Sequence, residues 1–246
     1  MPADALSAAA KKLGKCSKRA AAVAPKPQTT DHAELQIGLG TAGDWIAWAS
    51  RLRALNFSSS IKRGSRRAKS YLESTRFTYT WTAANALFSR DRVMKHLHKG
   101  KLPPGELSRF RLMYGDSGLS GSNEAQILAQ LHATLSSLRH PDEFPWAPLA
   151  EVRIIDLIYY KYTPDAYKGR GPSGQAIEAV VIGGQPVSSL DLPTLIYATR
   201  NWTFHGSLID SSFRGAPQQY QLFITTITKA LAATIGGYAL ALEKVL

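Results

Sequence analysis

Apolar residues along the chain recur mostly at intervals of three and four, the repeat that lines one face of a helix. The pattern is plainest near the end. There Tyr220, Phe223, Ile224, Ile227, Leu231, Ile235, Tyr238 and Leu242 form one stripe and predict a helix over Gln218–Val245. Ile127, Leu128, Leu131, Leu135 and Leu138 predict another that starts at Asn123 and ends before Pro141. Trp81, Ala84, Leu87, Phe88 and Val93 predict a third over Arg76–His98. Between Asp31 and Phe57 the apolar set is Leu35, Ile37, Leu39, Trp45, Ile46, Ala49, Leu52 and Leu55. Gly38, Gly40 and Gly43 interrupt its first half, so firm helix is expected only from Asp44, with Asp31 as an N-cap. Shorter runs predict helices at Glu106–Tyr114 and Leu149–Tyr162. Asp191 and Pro193 suit the start of a further helix that carries Leu192, Leu195 and Ile196.

Breaks separate these elements. Pro103-Pro104-Gly105, the Gly- and Ser-rich run 115–122 and Phe144–Pro148 are turn or loop signals. Residues 163–190 lose the helical period and are turn-rich, and Ala179–Gly184 reads as a short strand or half of a small hairpin. The expected fold class is therefore mainly α, a helical bundle with a turn-rich insertion. Three segments are expected: a mobile basic arm over 1–30, a helical N-terminal region over 31–122, and a helical bundle over 123–246.

Composition narrows the partners. The chain has 246 residues, 44% of them apolar, enough for a sizeable core. Its 30 Lys and Arg against 18 Asp and Glu leave a net charge of +12. That balance suits an anionic partner, either nucleic acid or an acidic membrane surface, or else simple solubility. Cys16 is the single cysteine, which precludes an intrachain disulfide, fits a reducing cytoplasm and argues against a catalytic thiol. No apolar run approaches the ~20 residues of a membrane span. The start of the chain lacks the apolar centre of a secretory signal, although its Ala-rich, acid-poor character leaves an organelle transit peptide open. His96 and His98 have no acidic or cysteine companion, so no metal site is expected, and the glycine run lacks the Lys-Ser/Thr of a phosphate-binding loop. No cofactor is expected.

Positive charge is densest over 58–76, where Lys62, Arg63, Arg66, Arg67, Lys69 and Arg76 face only Glu73. Arg63 and Arg67 are four apart, and Arg66 and Lys69 three apart. On a helix Lys62, Arg63, Arg66, Arg67 and Lys69 form a cationic ridge able to follow a phosphate backbone. Tyr71, Phe77, Tyr79 and Trp81 follow it. Such aromatics either stack on unpaired bases or fill the core, and the core is the expected place for Phe77 and Trp81.

The densest polar cluster of the last third is Arg200-Asn201-Trp202-Thr203-Phe204-His205. Asn201 and His205 are four apart, so a helix sets them on one face with Arg200 beside it. An arginine, an amide and an imidazole at a helix end can bind and protonate a phosphate ester, or can simply cap that end. The spacing Arg200-Asn201-x-x-x-His205, between two apolar helices near the C-terminus, resembles the signature of HEPN domains. The likeness rests on those six residues and on a helical context over 123–246. It implies metal-independent cleavage of RNA through its own 2′-hydroxyl, in a homodimer whose two motifs share a cleft. Arg200 would then bind the scissile phosphate, Asn201 would orient the imidazole or donate to the phosphate, and His205 would serve as general acid or base. A toxin or host-defence effector with an antitoxin or activator partner fits the family. So does a non-catalytic nucleic-acid-binding or scaffold protein.

Overall fold

The computed structural model describes residues 2–24, 29–55, 65–119, 122–137, 139–140, 152–153, 192–204 and 217–246. Among these the architecture is mainly α, as the periodicity predicts, with eight helices: α1 (Pro2–Ala22), α2 (Thr30–Arg51), α3 (Arg66–Phe88), α4 (Asp91–Lys95), α5 (Glu106–Asp116), α6 (Ser122–Ser137), α7 (Leu192–Phe204) and α8 (Pro217–Val245). Val152 and Arg153, expected in a helix, instead pair antiparallel with His140 and Arg139. The hairpin expected near residue 180, and the rest of the 163–190 excursion, lie outside the described residues.

The chain forms two compact units. One gathers residues 1–52, 79–121 and 228–246, the other 53–78 and 122–227. The units are interleaved along the chain, because α3 and α8 each contribute residues to both.

The N-terminal segment corrects the expectation of a mobile arm. Residues 2–22 are helical, and Leu6, Ala9, Leu13, Cys16 and Ala20 are buried. Their spacing alternates three and four, a narrow apolar seam that alanine and lysine abundance obscures. The seam lies along α2, and the buried His32 ring donates from Nε2 to the Ala20 carbonyl at the end of α1. Gly236 of α8 faces Ala9 and Lys12, so α1 is covered from α8 as well. The lysines of α1 occupy the remaining surface, so the segment is both basic and docked.

Two further details differ from expectation on α2. Its N-cap is Thr29, whose hydroxyl accepts from the His32 backbone N–H at 3.3 Å, and Asp31 falls in the first turn instead. The helix is also continuous through its glycines. Gly38 has a packing reason: a Cβ there would meet Val93 at 2.9 Å and the Ala86 carbonyl oxygen at 3.3 Å. Close approach to the α3–α4 corner thus offsets the weak helix propensity of glycine, about 1 kcal/mol relative to alanine. Gly237 on α8 is tighter still, since a Cβ there would collide with the Ser117 carbonyl.

The core of the first unit is aromatic. Trp81 packs on Phe110 at 5.1 Å and on Phe88 at 5.6 Å between ring centroids, and all three are buried. Tyr238 is fully buried and donates its hydroxyl to Met94 Sδ at 3.3 Å. Arg109 ties the start of α4 to α5, bonding the Pro103 carbonyl at 2.8 Å and pairing with Asp91 at 2.6 Å. In the second unit α7 buries Leu192, Leu195, Ile196 and Ala198, and the N-terminal part of α8 buries Phe223, Ile224 and Ile227. Threonines within these helices turn their hydroxyls back on the carbonyl four residues earlier, as Thr199 does to Leu195 at 2.8 Å and Thr226 to Leu222 at 2.9 Å. That bond lets a β-branched polar residue sit in a buried face without an unmet donor.

Helix α8 also revises the reading of apolar length. Gln221–Val245 is long and apolar enough to cross a bilayer by length and composition, with mean hydropathy 1.2. Interspersed Thr, Gly and Tyr hide this in the sequence. Most of that span is buried inside the protein, as expected for a core helix.

The docked state of α1 has a direct chemical readout. Burial first, then Glu243, push the Cys16 thiol up to about 12, with Arg19 opposing. Native protein at pH 8 is therefore expected to leave Cys16 unmodified by a maleimide, with rapid labelling only after denaturation. Labelling of the native chain at the rate of a free thiol would mean that α1 is undocked.

Candidate functional site

Helix α7 has a sharply divided surface. Leu192, Leu195, Ile196, Ala198, Thr199 and Thr203 are buried, whereas Tyr197, Arg200, Asn201 and Phe204 are not. Arg200 and Asn201 are adjacent, and each lies three or four residues from both Tyr197 and Phe204, so the four residues neighbour one another on one side of the helix. Arg200 Nη1 donates to Asn201 Oδ1 at 2.7 Å. The Arg200 guanidinium also lies 5.1 Å from the Phe204 ring centroid and 5.9 Å from that of Tyr197, both within cation–π range. The arginine is thus held by an amide on one side and framed by two rings. Its planar fork suits bidentate binding of a phosphate or carboxylate. Asn201, with its oxygen engaged, keeps an amide N–H₂ that has no partner among the described residues.

Of the motif residues, Arg200 and Asn201 are therefore together, both half-buried, at the C-terminal end of α7. His205 follows the last residue of that helix and lies outside the described residues. The ring frame of Tyr197 and Phe204 was missed by sequence reasoning, although its i−3 and i+4 spacing about Arg200 is visible there.

Part of the segment expected to form a cationic ridge is described. Arg66 and Lys69 are exposed on the first turns of α3, and Arg67 belongs to the same turn. Lys62 and Arg63 lie outside the described residues. Arg76 stands apart from the ridge. It is buried and paired with the buried Glu73 three residues earlier. That pair removes one cation and the one acid of the segment from the surface, so the exposed start of α3 is more purely cationic than the sequence implies. Helix α3 has no acid in its first turn. Cations there oppose the positive end of the helix dipole, at a cost of about 0.3–1 kcal/mol each at low salt.

A third arrangement joins α2 and α4 within the first unit. Asp31, Arg92, Lys95 and His96 line a cleft of about 320 Å³. Arg92 spans two carboxylates, bonding Asp31 at 2.6 Å and approaching Glu34 at 3.4 Å. His96 Nε2 is buried with no hydrogen-bond partner among the described residues. Burial lowers the His96 pKa below its usual value, nearby His32 lowers it further, and Asp31 works in the other direction. His98, two residues on, instead meets Asp116 at 2.6 Å. The cleft comes from residues some 60 positions apart, so local spacing carries no signal for it. No group of three or more metal-ligating side chains occurs among the described residues.

The class these features define is a mainly α-helical protein with a half-buried, ring-framed Arg–Asn pair and a cationic helix end. None of the family models, curated proteins or solved structures compared with the chain matches it.

His96 fixes a pH dependence of stability. Its folded pKa lies below the ordinary 6.5, so the unfolded chain takes up the proton first as pH falls. The neutral ring's contribution is complete above 6.5 and is lost as pH drops below it toward the folded value. Urea denaturation is expected to show stability declining from about pH 7 to pH 5.5, with His96→Gln flattening that part of the profile. An unchanged slope in the variant would exclude His96 as its source.

Proposed function

We propose that the chain is a HEPN-type, metal-independent endoribonuclease acting as a homodimer, with Arg200, Asn201 and His205 as its site. The observation that carries this reading is the hydrogen-bonded Arg200–Asn201 pair near the end of α7, with His205 along the chain at the motif spacing. The charge of the chain, +12, suits a polyanionic substrate.

The chemistry asks little of the protein. RNA supplies its own nucleophile, the 2′-hydroxyl. Its oxygen forms a bond to phosphorus as the bond from phosphorus to the 5′-oxygen breaks, leaving a 2′,3′-cyclic phosphate and a 5′-hydroxyl. A base must take the 2′-hydroxyl proton and an acid must give one to the departing oxygen. One His205 serves one of these roles, so two protomers that pool their motifs supply both. The Arg200 fork neutralises charge on the pentavalent phosphorus centre, and the Asn201 amide donates to a phosphate oxygen. The Tyr197 and Phe204 rings frame that guanidinium. A toxin or host-defence role, restrained by an antitoxin or released by an activator, accords with such an enzyme.

Purified protein in excess EDTA is expected to cleave RNA and spare DNA of the same sequence. His205→Ala should abolish cleavage, and Arg200→Ala should lower it on the order of 10²–10³-fold, the usual effect of removing one charge-stabilising group. Intact RNA with the wild-type chain, or cleavage indifferent to His205→Ala, overturns the proposal.

A second reading, nucleic-acid binding without cleavage, draws on a different observation. Arg66 and Lys69 are kept exposed at a helix start where they oppose the dipole. Neutralising Lys62, Arg63, Arg66, Arg67 and Lys69 together is expected to reduce the salt slope of single-strand binding by about 0.7 for each phosphate left without its cation. Arg200→Ala should leave that slope in place. A slope unchanged by the ridge variant would show that the ridge does not touch phosphate.

A further inference from the structure

The first unit carries an aromatic surface that none of the preceding chemistry uses. On α2, Trp45 and Trp48 meet edge to face, with ring centroids 5.1 Å apart and planes at 76°. Trp45 also meets Tyr79 of α3 at 5.2 Å and 54°. Trp48 is 54% exposed, and Trp45 and Tyr79 are half-buried. Trp81, by contrast, is fully enclosed by Phe88 and Phe110 within the same unit. The inward stripe of α2 is already filled by Leu39, Ala42, Ile46 and Ala49, so no rotation of the helix would hide the tryptophans.

We infer that Trp45, Trp48 and Tyr79, with Arg51 at the end of the same stripe, form a stacking platform for the unpaired bases of a single-stranded nucleic acid. Trp45, Trp48 and Arg51 are successive three-residue steps on α2, and Arg51 is exposed in its last turn. The rings are inclined to one another, so a base can lie on the Trp48 face while Trp45 and Tyr79 hold that ring in place. Arg51 then meets the phosphate that follows the stacked base.

Charge favours this occupant over a protein surface. Arg51 is the charged residue that follows the exposed ring on the same stripe of α2, and the chain as a whole carries a net charge of +12. Asp44 is exposed beside Trp45, so a polyanion is expected to approach from the Arg51 end. The other exposed large apolar residue of α2, Ile37, lies eleven residues before Trp48, so the patch lacks the continuous aliphatic rim of a protein-docking face. Stacking needs a base and no 2′-hydroxyl. The platform therefore takes single-stranded RNA and DNA alike, and it stands whether or not the α7 site cleaves RNA.

The test uses the full chain and a fluorescently labelled single-stranded thymidine oligonucleotide, which 2′-hydroxyl chemistry cannot cut. Anisotropy gives the affinity and tryptophan quenching reports the site. Wild type should bind and show quenching. Trp48→Ala should bind roughly 5- to 150-fold more weakly, the loss of one stacked base, and Trp48→Phe should recover most of that loss. A blunt duplex should quench far less. Wild-type affinity in a folded Trp48→Ala variant overturns the inference, as does equal quenching by duplex. A dimer that Trp48→Ala converts to monomer, with no quenching by oligonucleotide, would show instead that a second copy covers this face. Loss of RNA cleavage with binding intact would bear on the α7 reading alone.

Discussion

The continuous apolar face of α8 is the constraint on which the rest of the structure depends. Phe223, Ile224, Ile227, Leu231, Ile235, Tyr238 and Leu242 are all fully buried. A single helix with a stripe of that length has to be covered along the whole of it, because each such side chain is worth about 1.5–3 kcal/mol in transfer from water. One segment does not suffice. The part up to Ile227 belongs to one compact unit and the part from Thr228 to the other. The chain meets this demand by sending its first helix and its middle helices to the same C-terminal element. The position of α1 follows from it. A helix that looks dispensable by composition becomes core, with Ala9 and Lys12 lying against Gly236 of α8.

Fold class was legible because it rests on period alone, and the α8 stripe from Phe223 onward and Trp81, Ala84, Leu87 and Phe88 of α3 are buried as read, whereas Val93, read on the same helix, belongs to α4. The misreadings share a cause. The seam of α1 consists of Leu6, Ala9, Leu13, Cys16 and Ala20, mostly small residues whose weight comes from a partner helix rather than from their own hydrophobicity. The glycines of α2 look like breaks until Gly38 is seen to admit Val93. Arg76 counts as surface charge until Glu73 is seen to take it inward. Each is a tertiary fact that overrides a local propensity.

The site divides along the same line. The Arg200–Asn201 bond and the ring frame around it lie within a single helix, so their spacing was present in the sequence, although only the polar half was read as meaningful. The cleft of Asp31, Arg92, Lys95 and His96 joins two helices far apart in the chain, and no window of sequence holds it. The exposed Trp45–Trp48 pair is intermediate. Its spacing is local, but whether a tryptophan stripe faces core or solvent depends on which stripe of α2 the other helices cover, and that was decided by Leu39, Ala42, Ile46 and Ala49.

Electrostatics then separates what the fold requires from what it tolerates. The ion pairs that fasten elements, Arg109–Asp91, Arg92–Asp31 and the buried Glu73–Arg76, each consume an acid, and the chain has only 18 of them. The cations of the α1 surface and of the α3 start exceed what those acids can balance. At the α3 start they oppose the dipole as well, a placement that lowers stability rather than raising it. Folding alone therefore gives no reason for cations at that position. On the two proposed readings the half-buried Trp45 and the exposed Trp48 would meet base faces, whereas Arg200 would meet a phosphate.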